Sequence, residues 1–239
     1  MKIIFSPSKE MNFKGKFDLH NSFDIDLSNK FDKIYEKLLD LSKEEISKKF
    51  KIKNEILDEF LKDLQEFHNL PEKKAIEAYS GLAFRQLKIG EYTQKNWSYI
   101  QEKVFILSAF YGITCGTCKI KKHRLDFSIK LFEDISLYKF WSEYVNSFFI
   151  EKEVVINLAS NEYSKLIDKK RINLIDLNFY ENRELKQISA NSKKARGEML
   201  NLLIKNQIEN IEEIKTLKLK EYSYNKEISS INNLVFLKD

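Results

Sequence analysis

A cluster of cations late in the sequence is the clearest candidate for chemistry. Lys193, Lys194 and Arg196 follow Ser192, a residue type that commonly caps a helix N-terminus. Cations in a first helical turn face the positive end of the helix dipole, which costs roughly 0.3–1 kcal/mol each. A bound anion would offset that cost, and Gly197 would let a backbone approach closely. The alternative is a solvated, lysine-rich turn. We favour an anion site.

Two further polar segments come directly after predicted strands. Ser6-Pro7-Ser8-Lys9 follows the first strand, and the segment from Asn157 through Ser160 to Tyr163 follows another and turns into a helix. Ligands of open α/β sheets bind at the carboxyl ends of strands, where helix N-termini present free N–H groups. Both segments are therefore candidates for binding a phosphate-bearing ligand.

A second basic run carries four cations within six residues, namely Lys119, Lys121, Lys122 and Arg124. Such a run suits contacts to phosphates, each of which releases about one counterion from a nucleic acid. The alternative is a solvated edge strand that its lysines protect from pairing with other chains. The sequence leaves both interpretations open.

Cys115 and Cys118 form the one C-x-x-C motif in the sequence. Such a pair can serve thiol redox chemistry or supply half of a metal site. No second C-x-x-C exists, the three histidines are isolated, and no nucleotide-binding glycine motif occurs. We therefore predict no metal and no cofactor, and we interpret the cysteines as a structural or incidental pair, with a redox role as the alternative.

Two short predicted helices between residues 42 and 67 are joined by a lysine-rich turn that contains Lys49, Lys51 and Lys53. A helix–hairpin–helix module would use such a turn to present backbone N–H groups to a DNA phosphate, although its usual glycine is absent. The alternative is an αα-hairpin that only packs on the sheet.

The composition fits one globular domain. The 239 residues are 43% hydrophobic and 13% aromatic, which is ample material for a core, and the net charge of +5 allows but does not require a nucleic-acid partner. The first residues show no signal-peptide architecture, and no apolar run is long enough to cross a bilayer. We expect a cytoplasmic protein that does not bind membranes.

The hydrophobic periodicity predicts a mixed α/β (α+β) fold, in which helices pack on a central mixed sheet. The predicted single domain covers 1–239, and residues 28–80 form a helical insertion or lobe that carries the possible hairpin. Helix caps are predicted at Ser28, Ser42, Asn54 and Ser192. The predicted strands are Lys2–Ser6, Val104–Phe110, Val154–Leu158, Ile172–Leu177 and Leu185–Ser189, the last being the weakest, and 217–239 is expected to be strand-like and peripheral.

Several sequence blocks, in this order along nearly the whole chain, resemble the YaaA peroxide-stress family. The blocks are Ser6–Lys9, Ala78–Leu82, Leu107–Gly112, Arg124–Asp126, Phe140–Trp141, Val155–Tyr163 and Lys193–Met199. The resemblance implies a cytosolic protein that protects against hydroperoxide stress and limits damage from free iron. It also implies a mixed α/β fold, a helix–hairpin–helix-like element and a positively charged cleft that binds double-stranded DNA. Matching the blocks places six residues around that cleft: Lys9, Arg124, Asn157, Ser160, Lys194 and Arg196.

The chain departs from the family pattern after Gly112. Cys115 to Cys118 stand where the family usually has Arg-Pro-x-Asp, and Lys122-His123 stand where a Pro-Tyr precedes the arginine. Three hypotheses follow. The first is a non-enzymatic DNA-binding stress protein, which we favour. The second is an enzyme that acts on a nucleotide or phosphorylated small molecule in the same cleft, and the third is a peroxide sensor that uses the two cysteines.

Overall fold

A seven-stranded mixed sheet forms the centre of the molecule, in the order β4-β3-β1-β6-β7-β9-β8. The computed structural model describes residues 1–15, 19, 22 and 28–238. Within them, the strands are β1 (Lys2–Phe5), β2 (Lys73–Lys74), β3 (Val104–Ser108), β4 (Gly112–Cys115), β5 (Lys119–Ile120), β6 (Val154–Leu158), β7 (Asn173–Tyr180), β8 (Tyr222–Tyr224) and β9 (Asn233–Lys238). β2 and β5 pair separately as a two-stranded sheet. The predicted mixed α/β fold with a central mixed sheet is confirmed.

Five neighbouring strands of the sheet, from β3 to β9, run parallel to one another, and the edge strands β4 and β8 are antiparallel to them. β1 lies between β3 and β6, with Phe5 opposite Ile106 on one side and Leu158 on the other. The chain leaves β1 towards β3 but leaves β6 towards β7, in the opposite direction. The pair β1 and β6 therefore marks the topological switch point, where open α/β sheets bind their ligands.

The helices of the described residues lie between these strands along the chain. They are α1 (Ser28–Leu39), α2 (Lys43–Phe50), α3 (Asn54–Gln65), α4 (Ala75–Ala78), α5 (Gln94–Lys103), α6 (Leu137–Ser147), α7 (Asn161–Ser164), α8 (Ser189–Asn206) and α9 (Ile211–Thr216). None of these helices is long and apolar enough to span a bilayer. The single domain and the lobe at 28–80 stay predictions.

Local chemistry explains where α2 begins. Ser42 Oγ accepts a hydrogen bond from Glu45 N (3.2 Å), and Glu45 Oε2 accepts one from Ser42 N (2.8 Å). This is the capping box that the sequence predicts. The cap predicted at Asn54 is wrong. Lys53 occupies the N-cap position without a side-chain bond, and Asn54 is the first helical residue with φ 50°, a left-handed conformation that asparagine tolerates well.

The end of the chain differs most from the predictions. Leu185–Ser189 is not a strand, because residues 185–188 pair with no strand and α8 already begins at Ser189. The segment 217–239 does supply strands, but β9 is not peripheral. It pairs with β7 on one side and β8 on the other, and its Val235 and Phe236 are buried.

Candidate anion-binding site

A crevice of about 390 Å³ lies at the carboxyl ends of β1 and β6, which is the switch point of the sheet. Its walls come from the segment after β1, the segment after β6, the stretch around Gly81, and α8. The lining residues are Phe5, Ser6, Pro7, Ser8, Lys9, Glu10, Gly81, Leu82, Ala83, Phe84, Leu158, Ser160, Glu162, Tyr163, Lys193 and Arg196. We call this cavity the crevice.

Two serines join the strand ends at the base of the crevice. Ser6 Oγ accepts a hydrogen bond from Ser160 N (2.8 Å) and donates one to Ser160 Oγ (3.4 Å). Ser160 is the N-cap residue of α7, but its hydroxyl caps no helical N–H. The Ser160 hydroxyl therefore keeps its proton for a ligand at the carboxyl ends of adjacent parallel strands, whereas the Ser6 hydroxyl already donates its proton to Ser160 Oγ.

Arg196 projects from α8 into the crevice, where its Nε is buried without a hydrogen-bond partner among the described residues. Burial lowers the pKa of this guanidinium and the charge of Asp176 opposes that shift. Asp176 is already occupied, since it accepts from Asn157 Nδ2 (2.6 Å) and lies 3.3 Å from Lys169 Nζ. Arg196 is thus a largely enclosed cation with donors to spare, the kind of group that binds oxyanions.

Close backbone packing holds Arg196 at this position. A Cβ atom on Gly197 would lie 2.0 Å from the carbonyl oxygen of Ala83, so only glycine lets α8 approach the crevice wall this closely. A Cβ atom on Gly81 would likewise lie 2.2 Å from Ser8 Oγ. Backbone does approach Gly197 closely, but it is the protein's own backbone at Ala83, and a role of Gly197 in binding a ligand stays a prediction.

Acidic groups balance part of the positive charge. Lys9 Nζ lies 2.6 Å from Asp126 Oδ2. Burial raises the pKa of the Glu162 carboxyl, and the charge of Asp126 adds to that shift while Lys9 opposes it. Glu162 therefore takes up a proton more readily than an ordinary glutamate, at the wall of the same crevice.

The position of the cation cluster on its helix differs from the prediction. α8 begins at Ser189 rather than at Ser192, so Lys193, Lys194 and Arg196 lie beyond its first turn. Ser192 is buried within the helix, where its hydroxyl reaches the carbonyl of Phe179 at 3.5 Å. Because the helix dipole acts mainly on the first turn, it does not explain this cluster. The packing of α8 against the crevice wall brings Lys193 and Arg196 to the site.

Asn157 and Lys194 do not line the crevice. Asn157 is buried and bonds to Asp176 and to Ala159 N (2.8 Å), so it links β6 to β7. Lys194 is exposed on α8 and is not among the residues that line the crevice. These two positions had been expected beside Lys9, Ser160 and Arg196.

The second basic run is mostly neutralised within the protein. Lys122 Nζ lies 2.6 Å from both Glu59 and Asp63 of α3, which ties this helix to the segment after β5. Lys121 donates to the carbonyl of His68 (2.6 Å) and approaches a glutamate at 4.0 Å. Arg124 forms no hydrogen bond or ion pair within the described part of the chain and lines a second cavity.

This second cavity, of about 500 Å³, shares Lys9 and Glu10 with the crevice. Apolar and aromatic side chains make up half of its wall, and charged groups of both signs complete it. The full lining is Lys9, Glu10, Met11, Ile56, Glu59, Phe60, Asp63, Leu64, Phe67, Ser80, Phe110, Lys122, His123 and Arg124. We call it the aromatic cavity.

His123 forms a flat wall of the aromatic cavity. Its ring stacks on Phe110 with a centroid separation of 4.9 Å and an interplanar angle of 19°. Nδ1 lies 2.8 Å from the carbonyl of Lys121, which can only accept, so Nδ1 carries the proton and Nε2 accepts from the Tyr79 hydroxyl at 3.3 Å. Burial lowers the pKa of His123 to about 4, so the ring is neutral at physiological pH.

The predicted hairpin lysines lie around the turn between α2 and α3, where Lys51 adopts a left-handed conformation (φ 55°). Lys51 and Lys53 border a shallow surface pocket, whereas Lys49 Nζ bonds to the carbonyl of Lys130 (2.9 Å). Two helices joined by a turn are therefore present, but a helix–hairpin–helix function for them stays a prediction.

Cys115 and Cys118 are joined by a disulfide bond at the turn between β4 and β5. Gly116 and Cys118 accept backbone hydrogen bonds from Ile76 N (2.9 Å) and Ala75 N (2.8 Å), at the start of α4. The pair therefore fixes a turn that supports α4, in keeping with the structural interpretation. Among the described residues, no group of three or more metal-ligating side chains occurs.

The sequence places Ser6 within a candidate segment but does not single it out, and it assigns neither Gly81 nor Asp126 to the site, nor His123 to the second cavity. Ser6 had the right signal, because it follows a predicted strand, but its partner Ser160 lies 154 residues away. Gly81 is one of only six glycines in the chain, which is a usable signal for a close backbone approach.

Fold and site together define a class of protein: a mixed α/β protein with a cation-lined crevice at the switch point of its sheet. Residues 1–228 match the sequence model of the family described as peroxide stress protein YaaA. The chain is 39% identical to UPF0246 protein FN1762 of Fusobacterium nucleatum over 99% of this chain and 98% of that protein. It is 32% identical to UPF0246 protein MYPE6270 of Malacoplasma penetrans over 100% and 99% of the two chains, and 32% identical to a UPF0246 protein of Finegoldia magna over 100% and 98%.

The chain belongs to the YaaA family of peroxide stress proteins. The family resemblance noted in the sequence is therefore confirmed. Membership supports a role in peroxide stress.

Proposed function

We propose that this protein acts in the peroxide stress response by binding double-stranded DNA, and that the crevice takes a backbone phosphate. The observation that carries the proposal is the buried Nε of Arg196, which has no partner among the described residues and faces a cavity that Lys193 also lines. A buried donor without a partner costs free energy, so a site that keeps one is built for a ligand that satisfies it.

The chemistry of the crevice suits a phosphate oxygen. A guanidinium offers forked donors to an oxyanion, and the Ser160 hydroxyl, which accepts from Ser6 and caps no helical N–H, adds a rotatable donor beside it. Lys193 and Lys9 supply further positive charge at the mouth, although Lys9 shares its charge with Asp126. Such contacts bind any DNA sequence, because phosphates carry no sequence information.

A second set of phosphate contacts is available at the turn between α2 and α3. Lys48, Lys51 and Lys53 border the same shallow surface and form no ion pair within the described chain. We infer that these lysines and the backbone of the turn contact the DNA backbone in the manner of a helix–hairpin–helix. Arg124, likewise unpaired, adds a third cationic position. Lys121 and Lys122 contribute less, because carboxylates already neutralise them.

We further propose that DNA binding limits damage that iron causes in the presence of peroxide. Hydroxyl radicals form where iron sits on the DNA, so a protein that covers phosphates displaces the metal from the strand it protects. The proposal needs no iron site in the protein.

The proposal is tested with a matched pair of variants on one helix. Arg196→Gln removes the buried cation, whereas Lys194→Ala removes an exposed cation two residues away that does not line the crevice. Affinity for a short DNA duplex is measured by fluorescence anisotropy at fixed salt. We expect Arg196→Gln to weaken binding by about tenfold or more and Lys194→Ala to change it by less than about threefold.

Two controls complete this test. The melting temperature of Arg196→Gln should not fall, because the variant replaces a cation whose buried Nε has no hydrogen-bond partner among the described residues. Nicking of the same duplex by iron and peroxide should be slower with the wild-type protein than with Arg196→Gln. If both variants bind duplex DNA as tightly as the wild type, the crevice is not the DNA site.

A second function has an observation in its favour, namely an enzyme that acts on a phosphorylated small molecule in the crevice. Glu162, whose pKa is raised by burial and by the charge of Asp126, lies on the same wall as the serines and Arg196, and a carboxyl group that keeps its proton to higher pH than an ordinary glutamate can act as a general acid. Stabilisation by one nucleotide in a thermal-shift screen, without any binding of duplex DNA, would favour this function.

A further inference from the structure

The aromatic cavity adjoins the crevice along the side chains of Lys9 and Glu10. We propose that the two cavities together hold a single nucleotide unit, with its phosphate in the crevice and its unpaired base in the aromatic cavity. The inference rests on the proposed function, because it takes the crevice as the phosphate site, and it adds the base and therefore the class of ligand.

The wall of the aromatic cavity matches the faces of a base. Phe60, Phe67 and Phe110 line it together with the ring of His123, which lies nearly parallel to that of Phe110. Because its pKa is about 4, His123 presents a neutral ring and not a cation at physiological pH. Proteins stack the unpaired bases of RNA and of single-stranded DNA on flat aromatic rings of this kind.

The charges of the two cavities differ in the way that a nucleotide requires. In the crevice, the cations Lys193 and Arg196 outnumber Glu162, whose carboxylate forms no ion pair within 4.0 Å among the described residues, which leaves an excess of positive charge for a phosphate. In the aromatic cavity, Lys122 is neutralised by Glu59 and Asp63. Positive and negative side chains are equally numerous in the lining of the aromatic cavity, and half of the lining is apolar or aromatic. Such a cavity is unsuited to a phosphate but suits a polar, uncharged ring.

Hydrogen-bonding groups at the rim can read the edge of such a ring. Ser80 offers a hydroxyl, and Arg124 offers donors that no described residue occupies. The carboxylates of Glu59 and Asp63 keep acceptor capacity after binding Lys122, since each oxygen has two lone pairs. The cavity of about 500 Å³ lies within the range of ordinary small-ligand sites.

The connection between the two cavities has a rigid frame. The segment that carries Lys9 and Glu10 is held by a hydrogen bond from Ser80 N to the carbonyl of Glu10 (2.9 Å). Arg85 also donates to the Glu10 carboxylate (2.5 Å). The phosphate and base positions are therefore fixed relative to each other by the protein before a ligand binds, which lowers the entropy cost of binding.

The test compares deoxyadenosine monophosphate with deoxyribose phosphate, which lacks the base, by isothermal titration calorimetry. We expect the nucleotide to bind about tenfold or more tightly, the difference that stacking of one base contributes. Ile56→Trp, a substitution of a half-exposed residue at the mouth of the aromatic cavity, should abolish this difference without weakening deoxyribose phosphate. Ile150→Trp, at an exposed residue that lines neither cavity, is the matched control.

A second set of binding measurements, with DNA duplexes, shows whether the nucleotide is free or belongs to DNA. If the unpaired nucleotide belongs to DNA, a duplex with one bulged adenine binds more tightly than a fully paired duplex, and Ile56→Trp removes the preference. If the nucleotide is free, the monophosphate binds but the two duplexes bind alike. Both results support the inference.

Equal affinity of the wild type for the monophosphate and for deoxyribose phosphate overturns the inference. The inference is also overturned if Ile56→Trp still prefers the monophosphate over deoxyribose phosphate as strongly as the wild type does. The proposed function fails separately, when Arg196→Gln leaves the binding of fully paired duplex unchanged. A protein that binds duplex through Arg196 but ignores the base therefore keeps the function and loses the nucleotide site.

Discussion

At the scale of single residues, the crevice places a cation and a proton-binding carboxyl group in one wall. Arg196 Nε is buried and has no partner in the part of the chain that the structure describes. Glu162 has a pKa above that of an ordinary glutamate because burial and Asp126 disfavour its charge. Each group is costly to the folded protein by itself. A bound anion removes the cost at Arg196 but adds to the repulsion at Glu162, so the protonation of Glu162 is coupled to anion affinity.

Glu162→Gln is expected to tighten anion binding at neutral pH. Ionised Glu162 repels an anion in the crevice, and one such charge is worth about fivefold in affinity. Since its pKa is raised, wild-type affinity should increase as the pH falls from neutral towards about 4.3, the pKa of an ordinary glutamate, and the increase should begin at a higher pH than an ordinary glutamate would give. The variant should lack this increase. Sulfate is the probe for calorimetry, because its own charge does not change in this interval.

Protonation of Glu162 also favours the folded state, as it favours anion binding. A carboxyl whose pKa is higher in the folded state stabilises the protein only while it is protonated, and this contribution is lost as the pH rises through the folded pKa. Glu162→Gln should therefore be at least as stable as the wild type at neutral pH. Glu143→Gln, at an exposed residue of α6, is the control. Parallel pH profiles for wild type and Glu162→Gln would contradict the coupling.

At the scale of elements, the site depends on how closely α8 approaches the segment from Gly81 to Phe84. Gly197 is in the interior of α8, where alanine would ordinarily stabilise a helix by about 1 kcal/mol. Its absent Cβ leaves room for the carbonyl of Ala83, which would otherwise lie 2.0 Å away. The tertiary contact thus outweighs helix propensity at this position.

Gly197→Ala is expected to lower the free energy of unfolding by about 1–3 kcal/mol, because backbone on one side of the crevice must move. The same movement displaces Arg196, so sulfate affinity should fall with stability. Gly90→Ala is the matched control, since a Cβ atom there meets nothing within 4 Å. The free energies of unfolding of both variants are measured in urea. Equal values for Gly197→Ala and Gly90→Ala would show that α8 does not need this close approach.

At the scale of the whole molecule, the proposed DNA contacts form two separate cationic regions. One is the crevice with Lys193, Arg196 and nearby Arg124, and the other is the turn with Lys51 and Lys53. Most other cations of the second basic run are paired with carboxylates. The net charge of +5 alone does not show where the cations without a carboxylate partner lie.

The dependence of duplex affinity on salt concentration reports how many DNA phosphates the protein contacts. If both regions are used, five phosphates give a slope of log affinity against log salt of about −4 to −5. Lys51→Ala with Lys53→Ala should reduce the magnitude to about 3, whereas Lys218→Ala with Lys220→Ala, at two exposed lysines with the same spacing, should leave it unchanged. Identical slopes in the two double variants would remove the turn from the interface.

Particular residues show how far prediction from the sequence reached. Ser42 and Glu45 were identified as a capping box because both partners are three residues apart, and Val154–Leu158 was recognised from its continuous apolar run. The start of α8 was misplaced, because Ser189 and Ser192 are both acceptable caps and nothing local chooses between them. The pairing of Lys122 with Glu59 and Asp63 could not be predicted, because these carboxylates lie about 60 residues away in the sequence, on another helix.

The sequence by itself determined the fold class, the family and the segments that supply the site, because periodicity, caps and motif blocks are local patterns that survive without tertiary contacts. Only the tertiary structure decided which cations stay unpaired. It pairs Lys122 with carboxylates of α3, leaves Lys194 exposed and outside the lining of the crevice, and leaves Arg196 Nε without a partner among the described residues. The physical reason is that charge pairing and burial depend on distances between elements remote in sequence, which no local pattern encodes.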